Sequence, residues 1–361
     1  MKAFRYLSVG MQNIVRPARA WAGPLHVQVE VTTFCNLDCV MCSHGTLIKH
    51  PRHMGLGSFI EICEKLMPYK VSMNGIGEPF LNPEMLPMVE FARDHGIETI
   101  TTSNLTLLSP ELAEHIVHSG LGLLKGSIDS VDPQTYLAIR RRDMHGRVLE
   151  GLRNVRDAKR RLGSRLPYVR LQFVMQRANY REIPDVLDLC QEYGVDAIYF
   201  QPLDLINDNY VTDAMVSELI GDMDPVSFRQ VLERAAQKSE HGKIATNLPA
   251  LFRDFDAVWE KYRMIKAPDP ETAVCMMPWT SLYVSVDGDV RLCCVFASSP
   301  EENLGNIFKQ DFGAIWNGEA YRNYRKGFSK GERPNKLCRN CMAPTLGGMM
   351  KSFKHSKYML K

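Results

Sequence analysis

Cys35, Cys39 and Cys42 place three thiols within eight residues, directly behind an alternating apolar run over 26–31 that reads as a strand. Three thiolates on so short a loop cannot close a tetrahedral site by themselves. Structural zinc takes four ligands, with cysteines usually arriving in pairs. A cubane iron-sulfur cluster has four corner irons, so three cysteines leave one iron open. Disulfides fit poorly, because an odd local thiol count in a chain without an export signal does not suggest bridges. The residues alone therefore rank an iron-sulfur cluster first, zinc second and disulfides last.

The spacing Cys35-x3-Cys39-x2-Cys42 behind a first strand resembles the radical S-adenosylmethionine (radical SAM) superfamily. The resemblance implies a [4Fe-4S] cluster on these three cysteines, with SAM chelating the open iron. It also implies reductive cleavage of SAM to methionine and a 5′-deoxyadenosyl radical that takes hydrogen from a substrate. A reductase such as flavodoxin or ferredoxin is the implied electron donor.

From about residue 26 to 205 the chain alternates short apolar runs with amphipathic segments. Strands are expected over 71–74, 98–102, 123–128, 168–175 and 197–201. Helices are expected over 83–95, 110–119, 133–161 and 181–193. Such alternation predicts a parallel sheet with crossover helices. The expected fold is α/β, a partial (β/α)6 TIM-like barrel with a small C-terminal α+β iron-sulfur domain. Catalytic groups of barrel-like folds gather at the C-terminal ends of strands, which is where the cysteine loop falls.

The other strand ends repay the same reading. Asn74-Gly75-Ile76-Gly77-Glu78-Pro79 follows the second strand. Glycines let backbone approach a ligand closely, and a fixed carboxylate beside them accepts from an ammonium group. Gly77, Glu78 and Pro79 resemble the family's Gly-Gly-Glu-Pro motif, which contacts the SAM amino group; Ile76 replaces its first glycine. Ser103 and Asn104 stand where the family approaches the SAM ribose. Ser127 and Arg140 resemble a serine and arginine that hold the SAM carboxylate, a suitable task for a hydroxyl and a guanidinium. Val174, Gln201 and Pro202 are candidates to flank the adenine or the substrate.

Each of these residues alone reads equally well as a turn residue or a solvated charge. Their appearance in order at successive strand ends carries the resemblance.

The pattern then changes to polar helical stretches over 211–223 and 225–237, and a Pro-containing linker at 267–270. Beyond it Cys275 precedes a hairpin signal, Asp287-Gly288 between alternating apolar residues. Cys293 and Cys294 lie on its returning end, a helix is expected over 312–328, and Cys338-x2-Cys341 closes the set. Four thiols close a zinc site or a cluster equally well. With Pro278-Trp279, Leu304-Gly305-Asn306 and Ile315-Trp316, the region resembles the SPASM/twitch domain of radical SAM enzymes. The resemblance implies one auxiliary iron-sulfur cluster, expected as [4Fe-4S], on Cys275, Cys293, Cys338 and Cys341; Cys294 is an alternative to Cys293. Cys63 and Cys190 fall in helical apolar patterns and are expected in the core.

The expected organisation is an N-terminal extension (1–24), radical SAM core (25–207), helical connector (208–270), auxiliary-cluster domain (271–345) and basic tail (346–361). With 45% hydrophobic and 24% charged residues the chain has the make-up of a globular enzyme, and its net charge of +3 does not argue for nucleic acid. No apolar run approaches the roughly 20 residues that span a bilayer. Residues 1–22 are basic without a long apolar core; an interfacial helix is one reading of them, and a surface helix capping the barrel is the expectation. The expectations are a cytoplasmic enzyme with no membrane partner and a small-molecule substrate.

A cluster ligated only by thiolates has no iron open to substrate, so electron transfer is its natural use. Within the family, enzymes with one such cluster include dehydrogenases of aminocyclitols and related sugars. The leading expectation is dehydrogenation of a small polyol, sugar or aminocyclitol. A peptide maturase is the rival, weakened because 34 residues before Cys35 are too few for a peptide-recognition domain. A redox-neutral epimerase using Cys294 or Cys190 as hydrogen donor is the third. An electron-transfer or zinc-stabilised binding protein would leave Glu78, Ser127 and Arg140 without a purpose. The residues do not identify a proton acceptor.

Overall fold

A computed structural model describes residues 2–203, 205, 211–242, 244–263 and 275–341. The linker at 267–270 and the basic tail lie outside the described residues. The chain divides into two compact units, one of Met1–Phe34, Leu47–Thr99 and Pro268–Lys361, the other of Cys35–Thr46 and Ile100–Ala267. The described strands are β1 (His26–Val29), β2 (Lys70–Met73), β3 (Glu98–Ser103), β4 (Leu123–Ser127), β5 (Tyr168–Met175), β6 (Ala197–Pro202), β7 (Ala245–Thr246), β8 (Ser281–Val284) and β9 (Val290–Arg291).

In the first unit β1 lies between β2 and β8, parallel to both, and β8 turns back antiparallel into β9. Every residue of β8 is buried, as a strand paired on both edges requires. The Asp287-Gly288 signal is a hairpin turn: Gly288 sits at φ +85° and donates its N–H to Ser285 O. A side chain there would also overlap the Phe308 ring. The segment carrying Cys293 therefore joins the first unit by adding a strand beside β1. The helix Leu56–Leu66 buries Phe59, Ile62, Cys63 and Leu66.

In the second unit β3 to β7 follow one another in space as in sequence, all parallel. β5 alternates half-buried and buried residues along its whole length, as its period-two pattern predicts. The crossover helices start where their caps dictate. Ser109 accepts from Leu112 N before Pro110, and Asp132 accepts from Thr135 N before Pro133. Cys190 is buried in the helix Ile183–Glu192, so a role in donating hydrogen to a substrate has no support in its placement.

All six expected strands are present and the fold class is the expected α/β. Boundaries differ where the chain meets other parts of its own unit. The expected helix over 133–161 is two helices, Pro133–Arg140 and His145–Arg161, parted by Arg141 at φ +56°. The break frees Ile139 O to accept from Val40 N at 3.0 Å. The expected helix over 312–328 is likewise two, Phe312–Trp316 and Glu319–Ser329, because Asn317 exchanges hydrogen bonds with Ala20 N and Ala20 O. The helix Leu56–Leu66 carries Cys63 in the core, as its helical apolar pattern implies, while the short β7 is not foreshadowed in the sequence pattern.

Gly288→Ala should destabilise the protein by about 1–3 kcal/mol through the strained turn and the displaced ring. Denaturant unfolding checks this, and a loss within error of zero would mean the hairpin relaxes freely.

Candidate functional site

The cysteine loop of the second unit is built by a few identifiable bonds. Cys42 N donates to Cys39 O at 3.1 Å, which makes the loop a tight turn carrying Met41 between two thiols. Met41 packs against an apolar cluster of Leu203, Leu205, Met215 and Leu219, to which Val174 also belongs. At the start of the loop Asn36 Nδ2 donates to Thr106 Oγ1 at 2.8 Å and Asn104 Nδ2 donates to Asn36 Oδ1 at 2.7 Å. Asn104 Oδ1 in turn accepts from Thr106 N and Oγ1. This closed ring of amides and hydroxyl ties the residue after Cys35 to the end of β3. Asn36 and Thr106 were not singled out from the sequence; the Cys-Asn dipeptide was the available signal.

Arg140 and Asp129 form a buried ion pair at 2.5 Å. Burial pulls the Asp129 carboxyl pKa upward and the Arg140 charge opposes that pull. Arg140 Nη1 also donates to Cys39 Sγ at 3.5 Å. Burial raises the Cys42 thiol, again with Arg140 among the opposing influences. The Arg140 Nε is buried without a hydrogen-bond partner among the described residues. Of the other expected residues, Ser103 is buried and its Oγ accepts from Leu105 N, while Ser127 is half-buried at the last position of β4.

In the first unit the Gly-Glu-Pro segment is wedged against the exit of β1. A Cβ on Gly77 would lie 2.5 Å from Thr32 O and 2.6 Å from Phe34 O, so only glycine fits. Glu78 N donates to Phe34 O at 2.7 Å, and the buried Glu78 carboxylate accepts from Phe80 N at the start of a short turn containing Pro79. Glu30, also buried, accepts from Ile76 N at 3.1 Å and from Val286 N at 3.3 Å. One carboxylate thus ties this loop to the β8–β9 hairpin. Nothing in the sequence pattern marks Glu30 for that task.

The C-terminal thiols lie in the first unit close enough to influence one another. Burial pushes the Cys275 thiol up to about 11, and Cys341 and Cys294 push it further. Burial takes Cys338 to about 12 with added pressure from Cys275 and Cys341. Cys293 is raised by its bond with Cys294 and by burial. Arg333 Nη1 fixes the Cys338–Cys341 loop by donating to the carbonyls of both residues. Arg291 does the same behind Cys293-Cys294, donating to Phe296 O and Ala297 O.

The donor chemistry fits the implied groups in both places. Three thiols on one turn, one of them beside a guanidinium, suit a group that takes three thiolates and leaves a position open. Buried thiols that repel one another when ionised suit a multinuclear cation-containing group that relieves the repulsion. Among the described residues no three His, Cys, Asp or Glu side chains converge at single-ion spacing. A surface hollow lined by Arg156, Lys159, Arg160, Gly163, Ser164 and Gly194 contains none of these residues.

Comparison with known proteins agrees with this chemistry. Residues 29–190 match the Radical SAM superfamily, and residues 275–342 match SPASM, an iron-sulfur cluster-binding domain. The chain is a radical SAM enzyme with a C-terminal SPASM domain. Among its relatives is the tungsten-containing aldehyde ferredoxin oxidoreductase cofactor-modifying protein of Pyrococcus furiosus, 23% identical over 83% of each chain. The AdoMet-dependent heme synthase of Methanosarcina barkeri is 25% identical over 89% of this chain and 91% of its own. In fold the chain is similar to Streptococcus suis SuiB bound to the precursor peptide SuiA, with a TM-score of 0.62 at 16% identity over 84% of this chain and 67% of that one.

Removing one partner of the Arg140–Asp129 pair leaves a buried charge uncompensated. Arg140→Met should therefore cost about 3–5 kcal/mol of stability; an unfolding midpoint unchanged from wild type would show that the pair is not buried in solution. Gly77→Ala should weaken SAM binding by at least about tenfold, because its Cβ would force apart the backbone at Thr32 and Phe34. Calorimetric titration with SAM measures it, and wild-type affinity would show that the wedge is dispensable.

Proposed function

We propose that this enzyme is a radical SAM oxidoreductase that removes two electrons from a small-molecule substrate and uses an auxiliary iron-sulfur cluster as the electron acceptor. The observation that supports this reading is that Cys275 lies within electrostatic reach of Cys293, Cys294, Cys338 and Cys341. Cys35, Cys39 and Cys42 hold the SAM-binding cluster in this reading, with Arg140 steadying Cys39. Gly77 opens backbone to the SAM amino group, Glu78 accepts from it and Pro79 sets the turn. Ser103 and Asn104 serve the ribose, and Ser127 with the remaining Arg140 donor serves the carboxylate. Cys275, Cys338 and Cys341 with Cys293 or Cys294 hold the auxiliary [4Fe-4S] cluster.

When bound, these groups supply hydrogen-atom abstraction and a one-electron acceptor, which together amount to a two-electron oxidation of the substrate. The substrate class that this chemistry suits first is an alcohol carbon of a polyol, sugar or aminocyclitol, which becomes a ketone with release of a proton. A larger cofactor precursor is the second class. It is favoured by two of the relatives that align over more than four fifths of both chains, which are named for cofactor modification and heme synthesis. A reductase of the flavodoxin or ferredoxin class delivers the first electron.

Anaerobic turnover with SAM and a reductant, across polyols, aminocyclitols and porphyrin precursors, should yield oxidised product and 5′-deoxyadenosine in equal amounts. Cys338→Ala should lose oxidised product while keeping SAM cleavage. A fully active Cys338→Ala would remove the auxiliary cluster from the reaction and leave a redox-neutral radical conversion in its place.

A further inference from the structure

Among its described side chains the helix Lys2–Val15 buries Val9 and Gln12 and turns Tyr6, Leu7, Met11, Ile14 and Val15 to solvent. Gln12 is completely buried, donating to Trp279 O at 2.9 Å and accepting from Trp21 N and Ala22 N. Arg5 is turned inward onto the carbonyls of Pro24, Leu66 and Met67. The outward side carries Tyr6, Leu7, Met11, Ile14 and Val15, with exposures between 54% and 81%. Residues 7, 11 and 14 repeat at the spacing of one helical face. Trp21, 54% exposed, lies beside them and donates its ring N–H to Ser8 O. Six of the twelve exposed large apolar side chains among the described residues fall in this one segment. A solvated capping helix would carry the opposite pattern.

Besides the stacking of Tyr6 on Tyr69, the segment is held to its unit by hydrogen bonds that do not use the apolar face. Trp279 and Trp316 donate their ring N–H groups to Pro17 O and Ala22 O, and Ser329 Oγ donates to Arg16 O. The face is therefore a fixed platform. Its charge has one sign: residues 1–29 contain Lys2, Arg5, Arg16 and Arg19 and neither Asp nor Glu. An apolar stripe followed in the chain by Arg16 and Arg19, with a tyrosine and a tryptophan at its margins, matches the acyl-headgroup boundary of an anionic bilayer. No helix among the described residues is long and apolar enough to cross a membrane, so the helix would lie in the surface.

We propose that Lys2–Val15 and Trp21 form a surface anchor for anionic lipid. Tyr6, Leu7, Met11, Ile14 and Val15 enter the acyl boundary while Arg16 and Arg19 meet the headgroups. This places the enzyme where a lipid or lipid-borne substrate is accessible, and it does not depend on the assignment of the reaction.

The test is anaerobic co-sedimentation of the iron-loaded protein with vesicles of phosphatidylcholine alone or with about one third phosphatidylglycerol. Binding should require the anionic lipid and fall with added salt. Trp259, Trp279 and Trp316 are buried and Trp21 is exposed, so binding should shift tryptophan emission to the blue, and Trp21→Phe should abolish the shift. Leu7→Gln/Met11→Gln/Ile14→Gln should weaken binding by at least about tenfold with iron content and melting temperature unchanged, since these side chains touch solvent. Absence of vesicle binding would overturn the proposal. So would wild-type binding by the triple variant, or a concentration-dependent dimer in place of vesicle binding that the triple variant abolishes.

Discussion

The exit of β1 is the constraint on which the Gly-Glu-Pro turn and the β8–β9 hairpin depend. β1 is paired on both edges, and the backbone leaving it is gripped at once. Thr32 O and Phe34 O face Gly77 with no room for a side chain, Glu78 N bonds Phe34 O, and Glu30 ties Ile76 N and Val286 N to the same point. The Gly-Glu-Pro turn and the hairpin that leads to Cys293 therefore take their positions from one short stretch, and a side chain at Gly77 or the loss of the Glu30 carboxylate would disturb it.

The second unit solves a different problem, how to fix a short loop that carries three thiols. Its answer is polar and local. The Asn36–Asn104–Thr106 ring saturates the amides at one end of the cysteine loop, and the Arg140–Asp129 pair supplies a buried cation at the other. A buried pair of this kind contributes little net stability. Its use lies in presenting a guanidinium that stays charged beside Cys39 and keeps one further donor, Nε.

Much of this was legible in the sequence where a periodic or stereochemical rule governed it. The alternation over 168–175 gave β5 to the residue, Ser109-Pro110 and Asp132-Pro133 marked helix starts, and Asp287-Gly288 marked the hairpin. The thiol spacing together with the ordered strand-end residues pointed to the radical SAM and SPASM families. What was not legible depended on partners far along the chain. The helix break at Arg141 carries no glycine or proline signal and is explained by the bonds of Val40 and Arg140. Glu30 looks like any polar residue at the end of a strand. The N-terminal helix has the same composition whichever face it turns outward, so its apolar outer surface emerges only from the buried bonds of Gln12 and Arg5.

The most direct measurement is iron and sulfide content with Mössbauer spectra after anaerobic reconstitution, for wild type and for the variant with Cys35, Cys39 and Cys42 replaced by alanine. The account predicts about eight irons falling to about four in the variant, with 5′-deoxyadenosine formed by wild type alone. About four irons and one zinc in wild type would contradict it, because the C-terminal thiols would then hold a metal that accepts no electron.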